Sequence, residues 1–309
     1  MSWLSTSVAR RLLGPQVLGA CALLIGAGLV LVAGDPSLVP GPGVLVFRHD
    51  LAALGASMVA VTLLGVMLHE IAHLVAARAA GVPARIGLGH RLWIVVAETD
   101  MTGIWMASKR RRYLAFLAGP IVDAATAAVL LGVLWADQRG WIGLSPFLLQ
   151  ATGATLLGYL LRILWQCFVF VRTDFYYVLA TAFDCSRLLD DTTDLLRNRM
   201  ARLRGSAPVV DQSAIPPAEL RAVRAFAVVW LVGRGLAFAS LILITLPVLY
   251  GYATEIVLGL TGGRSSFDAF DLVLLAAVGL GTQGAGVIVW IRSLHQGRIQ
   301  RRVDALARS

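Results

Sequence analysis

The sequence predicts an all-α polytopic membrane protein, with about six transmembrane helices and a small re-entrant β segment, and three observations carry that expectation. Of the 309 residues, 58% are hydrophobic and 15% charged, with a mean hydropathy of +0.76, whereas a soluble domain is nearer half apolar and a quarter charged. A packed globule of this size could not hide so much hydrocarbon from water, which excludes a soluble enzyme. Apolar stretches long enough to cross about 30 Å of hydrocarbon recur along the chain. The third observation is where the charge sits. With spans expected near residues 12–33, 56–80, 113–136, 146–171, 225–250 and 268–291, 22 of the 27 Lys and Arg fall in the N-terminus, the 78–112 loop, the 172–224 loop and the C-terminal tail. Three, Arg48, Arg139 and Arg264, fall on the other side. Basic residues concentrate on the cytoplasmic face, so both termini are expected there. The net charge of +9 then records topology and contact with the lipid bilayer, and no nucleic-acid partner is implied.

Taken in order, the first span follows Arg10 and Arg11. Leu18-Gly19-Ala20-Cys21 resembles a lipoprotein cleavage box, but the apolar run continues to Ala33, which fits a retained helix. The external connections 34–50, 137–145 and 251–267 are too short for a folded domain. After the second span, Ile86 to Met106 is broken by Gly87, Gly89 and Gly103 yet rich in Trp, Val and Ile, so short strands are expected there. At membrane depth such a segment must pair its backbone groups within the protein or line a wet cavity. Gly119-Pro120 in the third span suits close packing against the second, the favoured use, or a mere kink. Residues 190–224 carry Asp190, Asp191, Asp194 and several arginines, then a Gly205 to Pro217 stretch, and read as an amphipathic segment followed by a linker. Cys21 and Cys167 lie in apolar spans and Cys185 follows one, so reduced thiols are expected.

The second span holds His69-Glu70-Ile71-Ala72-His73. On a helix, residues four apart share a face about one turn apart, so both imidazoles can reach one zinc ion while Glu70 stands beside them to take a proton from the attacking water. Ionisable groups at membrane depth are expensive, and three of them at ligand spacing point to a site rather than to packing. His69 lies eleven residues from Met58 and from Ala80, about 16 Å of helix on either side, so water has to reach mid-membrane. A catalytic zinc takes three protein ligands and keeps one position open. By residue type the third ligand is open among Asp174, His90, Asp123, Glu98 and Asp184.

His69 to His73 within an apolar span, the basic loop, Phe116-Leu117-Ala118-Gly119-Pro120 and a later Asp174 before Tyr176-Tyr177 resemble the site-2 protease family of intramembrane zinc metalloproteases, and within it the bacterial peptide-maturation branch. The likeness covers roughly residues 56–190. It implies a Zn2+ cofactor held by His69, His73 and Asp174, Glu70 as general base, and a strand edge in the 86–106 segment on which an extended membrane-bound protein or peptide substrate lies. It also implies a bacterial cytoplasmic membrane. Family members commonly carry Leu-Asp-Gly at the third ligand, whereas here Thr173 and Phe175 flank the aspartate. On this reading the chain divides into a first helix and external loop (1–55), a protease core (56–190), a cytoplasmic linker (191–224), and two C-terminal helices with a basic tail (225–309).

Asp123, Arg162 and Arg234 each lie about ten residues, roughly 15 Å, from the cytoplasmic ends of their helices. An ion pair of Asp123 with Arg162 or Arg234 would lock helices or hold substrate or transition-state charge. The Lys109 to Arg112 run reads as a lipid-headgroup anchor. Two rival readings are a non-catalytic accessory or immunity protein for peptide export that retains the fold, and a transporter using the buried charges. The absence of two similar halves counts against the second.

Overall fold

The computed structural model describes residues 5–41, 44, 51–91 and 94–240, together with isolated positions between 242 and 273. The sixth span expected at 268–291 (position 273 apart), the basic tail, Arg48 and Arg264 lie outside the described residues. Among the described residues, five helices are long and apolar enough to cross a membrane, at Thr6–Gly34, Ala56–Ala79, Lys109–Gln138, Pro146–Trp165 and Pro217–Ala239. They correspond in order to the first five expected spans.

The chain forms two compact units. One comprises Met1–Ile86 and Thr99–Leu236, the other Gly87–Glu98 and Ala237–Ser309. The first begins with α1 (Thr6–Leu12), capped by Ser5 and ending in Arg10 and Arg11, whose charge suits a helix C-terminus. Pro15 lacks a backbone donor and opens α2 (Pro15–Gly34) as a separate helix. Gly28 lets α2 press on α4 (Lys109–Gln138), since a Cβ there would come within 2.8 Å of the Ala128 methyl. Leu23, Leu29 and Val30 face outward, as lipid contact allows.

Between these, α3 (Leu51–Ala79) carries the histidines. It packs on α4, the central helix, whose buried positions include Ala115, Phe116, Ala118, Gly119, Pro120 and Asp123. α4 runs unbroken through Pro120, so Gly119-Pro120 serves packing. β1 (Arg85–Arg91) and β2 (Ile94–Asp100) form a two-stranded sheet in the expected 86–106 segment. With only two residues between them the strands run antiparallel. In the smaller unit, the Glu98 carboxylate lies over Gly89, where a Cβ would meet it at 2.4 Å.

α5 (Pro146–Trp165), capped by Ser145, is shorter than the expected 146–171 span. Its backbone closes into tight turns at Gln166, Cys167 and Phe168, and a 3₁₀ turn follows at Val169–Val171. Arg172 then takes a left-handed conformation, φ 60°, and α6 (Asp174–Ala182) begins. α7 (Leu188–Leu203) is the amphipathic segment. The linker after it is tied back, because the Asn198 side chain accepts the Val209 and Val210 N–H groups and donates to the Val210 carbonyl. α8 (Pro217–Ser240) lays Val223 and Phe226 against Tyr176, Ala180 and Leu188.

Candidate metal centre

Helix geometry alone brings His69 and His73 together, and α4 and α6 complete the site. The two imidazoles, 6% and 2% exposed, turn their Nε2 atoms toward one point, 3.1 Å apart. Asp174, the first residue of α6, places Oδ2 3.0 Å from His69 Nε2 and 3.3 Å from His73 Nε2. Donors about 2.0–2.1 Å from one shared ion stand about 3.0 Å apart at right angles and about 3.3 Å apart in a tetrahedron. The three separations lie in that interval, so these residues fit a single divalent metal ion.

The hydrogen bonds behind the ligands set their chemistry. His73 Nδ1 donates to the Ala115 carbonyl at 2.8 Å. A carbonyl only accepts, so the proton of His73 sits on Nδ1 and the Nε2 lone pair faces the site. His69 Nδ1 meets Asp123 Oδ2 at 2.8 Å. Arg162 donates to both oxygens of that carboxylate, from Nε at 2.8 Å and from Nη2. Asp123 is therefore an acceptor toward His69 as well, and His69 offers Nε2 in the same way. Gly119 makes room for both rings, because a Cβ there would lie 2.5 Å from either Nε2.

Asp174 owes its place to Gln166. The Gln166 Oε1 accepts the Asp174 backbone N–H at 3.0 Å, and its carbonyl accepts the Thr173 hydroxyl at 2.7 Å. No glycine is needed after the aspartate, since Phe175 is already helical and the left-handed residue is Arg172. Glu70, 6% exposed, presents Oε2 2.7 Å from the Thr99 hydroxyl, which also reaches the Glu70 carbonyl at 3.0 Å. One hydroxyl proton serves one of these acceptors at a time.

The other candidates separate. Asp123 stands behind His69 and outside the three-donor group, paired with Arg162. Arg234 lies over the Trp230 ring, 5.0 Å from its centroid. Asp184 accepts from Lys109 and Arg112, and these hydrogen bonds, the Lys109 bond foremost, hold its carboxyl below the usual carboxylate range. Two residues of the basic run thus bind an aspartate of the same chain. The His90 side chain lies outside the described residues, and Glu98 belongs to the smaller unit. Sequence reasoning missed Thr99, Gln166 and the Ala115 carbonyl. Only Gln166 left a trace, a polar residue at the end of an apolar span. The chain matches no protein-family model, and searches of the curated proteins and of the solved structures find no match.

Proposed function

We propose that the protein is an intramembrane zinc metallopeptidase of the site-2 protease type, hydrolysing a peptide bond of a membrane-associated protein or precursor peptide. The observation that carries this reading is three donor atoms at the spacing of a single ion, two of them, with a buried glutamate beside them, on a helix long and apolar enough to span a membrane. A zinc ion held by His69, His73 and Asp174 would supply Lewis acidity toward a peptide carbonyl and toward the attacking water. Glu70 follows the first ligand directly and takes the proton of that water, then returns it to the leaving amine. Thr99 holds the carboxylate for that transfer. A helical peptide hides its carbonyls in i to i+4 bonds and has to be extended before attack. The β1–β2 sheet offers a strand edge for this. Glu70 suits hydrolysis, because a carboxylate beside the ion can take up the proton of the attacking water.

The test combines elemental analysis of detergent-purified protein with mass spectrometry of new termini in a peptide mixture derived from membrane proteins. The unaltered protein should carry one zinc per chain and cut peptides. Glu70→Gln should keep the zinc and lose cleavage, and His73→Ala should lose both. Folded protein that takes up no zinc when it is supplied, or a Glu70→Gln variant that cuts as well as the unaltered chain, overturns the proposal.

A further inference from the structure

Asp123 is 0% exposed and lies one helical turn beyond Gly119 on α4, a helix long and apolar enough to span a membrane. Both of its oxygens are taken in a fixed pattern: Oδ2 accepts from His69 Nδ1 and from Arg162 Nε, each at 2.8 Å, and Oδ1 accepts from Arg162 Nη2. The guanidinium is itself seated. Gly65, one turn before His69 on α3, leaves the space it fills, since a Cβ there would come within 3.0 Å of Nη1 and 2.8 Å of the Tyr159 hydroxyl. The Tyr159 ring lies 4.4 Å from the guanidinium carbon. Arg162 also lines a cavity of about 140 Å³ between α3 and α5, with Thr62, Thr155 and Tyr159 among its neighbours. A cavity of this size has room for water.

The arrangement does more than join α4 to α5: Arg162 grips both oxygens of the buried Asp123 carboxylate and so fixes the oxygen that accepts from His69 Nδ1. Resting on the metal-centre reading, we propose that Arg162 is a positioning residue for the metal, acting through Asp123 to hold His69 as a strong, correctly turned ligand. The notch at Gly65 and the cavity, with the hydroxyls of Thr62, Thr155 and Tyr159 in a largely apolar lining, are the features of α3 and α5 that accommodate its cation among apolar helices.

A lock between helices and a device for the metal predict different outcomes in a double-mutant cycle on the full chain. Zinc affinity is measured by chelator competition in detergent, with folding checked by circular dichroism and size-exclusion chromatography. The visible spectrum of the cobalt-substituted protein reports the ligand field independently. Arg162→Met should weaken zinc 10- to 100-fold, as does loss of other groups behind metal ligands. Asp123→Asn should weaken it as well, because the arginine then stands unneutralised beside the ion. Asp123→Asn combined with Arg162→Met should bind zinc more tightly than Asp123→Asn alone, since the introduced amide oxygen still accepts from His69 and no lone cation stands beside the ion. Its cobalt spectrum should return toward that of the unaltered protein. Where Arg162→Met yields no folded protein, Arg162→Lys decides, because it keeps the cation but loses the two-point grip on Asp123: it should weaken zinc and shift the cobalt spectrum, and binding equal to that of the unaltered protein overturns the proposal. The proposal is overturned if Arg162→Met binds zinc as the unaltered protein does, or if the double variant binds no better than Asp123→Asn. Absence of zinc from the unaltered protein would instead overturn the metal-centre reading itself.

Discussion

Gly119 contributes no donor, yet the site depends on it as much as on the ligands. A methyl at this position would stand 2.5 Å from the Nε2 of both histidines, in the space where the donors converge. Alanine favours helix over glycine by about 1 kcal/mol, so Gly119→Ala should leave the helical circular dichroism unchanged while zinc affinity falls by at least the roughly 10-fold lost when a group behind a metal ligand is disturbed. An unchanged affinity in a chelator competition would contradict the packing described. Thr99 meets Glu70, the base of the proposed reaction. Its hydroxyl holds Glu70 Oε2 at 2.7 Å without belonging to the three-donor group. Thr99→Val should therefore keep full zinc occupancy and lower kcat about 10- to 100-fold, the scale of a lost hydrogen bond to a charged group, and Thr99→Ser should restore most of it.

At the scale of elements, the short helix α6 decides where the third ligand stands. Had α5 continued to residue 171, as its apolar run suggests, Asp174 would have been carried about 9 Å further along the axis. Instead α5 ends at Trp165, and the left-handed Arg172 turns the chain back. The same region is tied to the start of α4 by Asp184, which accepts from Lys109 and Arg112 at 3.0 Å each. These bonds depress its folded pKa, the Lys109 bond contributing most. A carboxyl shifted in this direction contributes stability above its unfolded value, near 3.9, and loses it as pH falls through the lower, folded value. Thermal melts of the unaltered protein and Asp184→Asn should thus differ by a constant amount from pH 8 to pH 5 and converge below about pH 4. Asparagine tolerates the left-handed conformation of residue 184, φ 50°, so the comparison isolates the charge.

For the whole molecule, the distribution of basic residues assigns a side to each connection. Gly143, between α4 and α5, should face outward, and Ser206, after α7, should face the cytoplasm. In a background with Cys167 replaced by serine, Gly143→Cys should react with a membrane-impermeant maleimide in intact cells, and Ser206→Cys only after permeabilisation. The reverse pattern would invert the topology. Cys185 does not interfere, being 1% exposed, with burial pushing its thiol up to about 11 and suppressing the reactive thiolate.

The sequence by itself determined the membrane class, the first five spans and the pairing of His69, Glu70 and His73. Each of these follows from local rules, hydrocarbon thickness for the spans and 3.6 residues per turn for the histidines. The amphipathic run before the linker and the strands near 86–106 were legible for the same reason, because their periodicity lies within a few residues. Tertiary structure decided the rest. Asp174 is 105 residues from His69 and Asp123 is 54, and both are acidic residues on or beside apolar helices. One became a third donor and the other a support behind a ligand because α5 ends early and because α4 presses Gly119 against the rings. Those outcomes depend on how helices distant in sequence pack, and the spacing of residues along one helix carries no information about them.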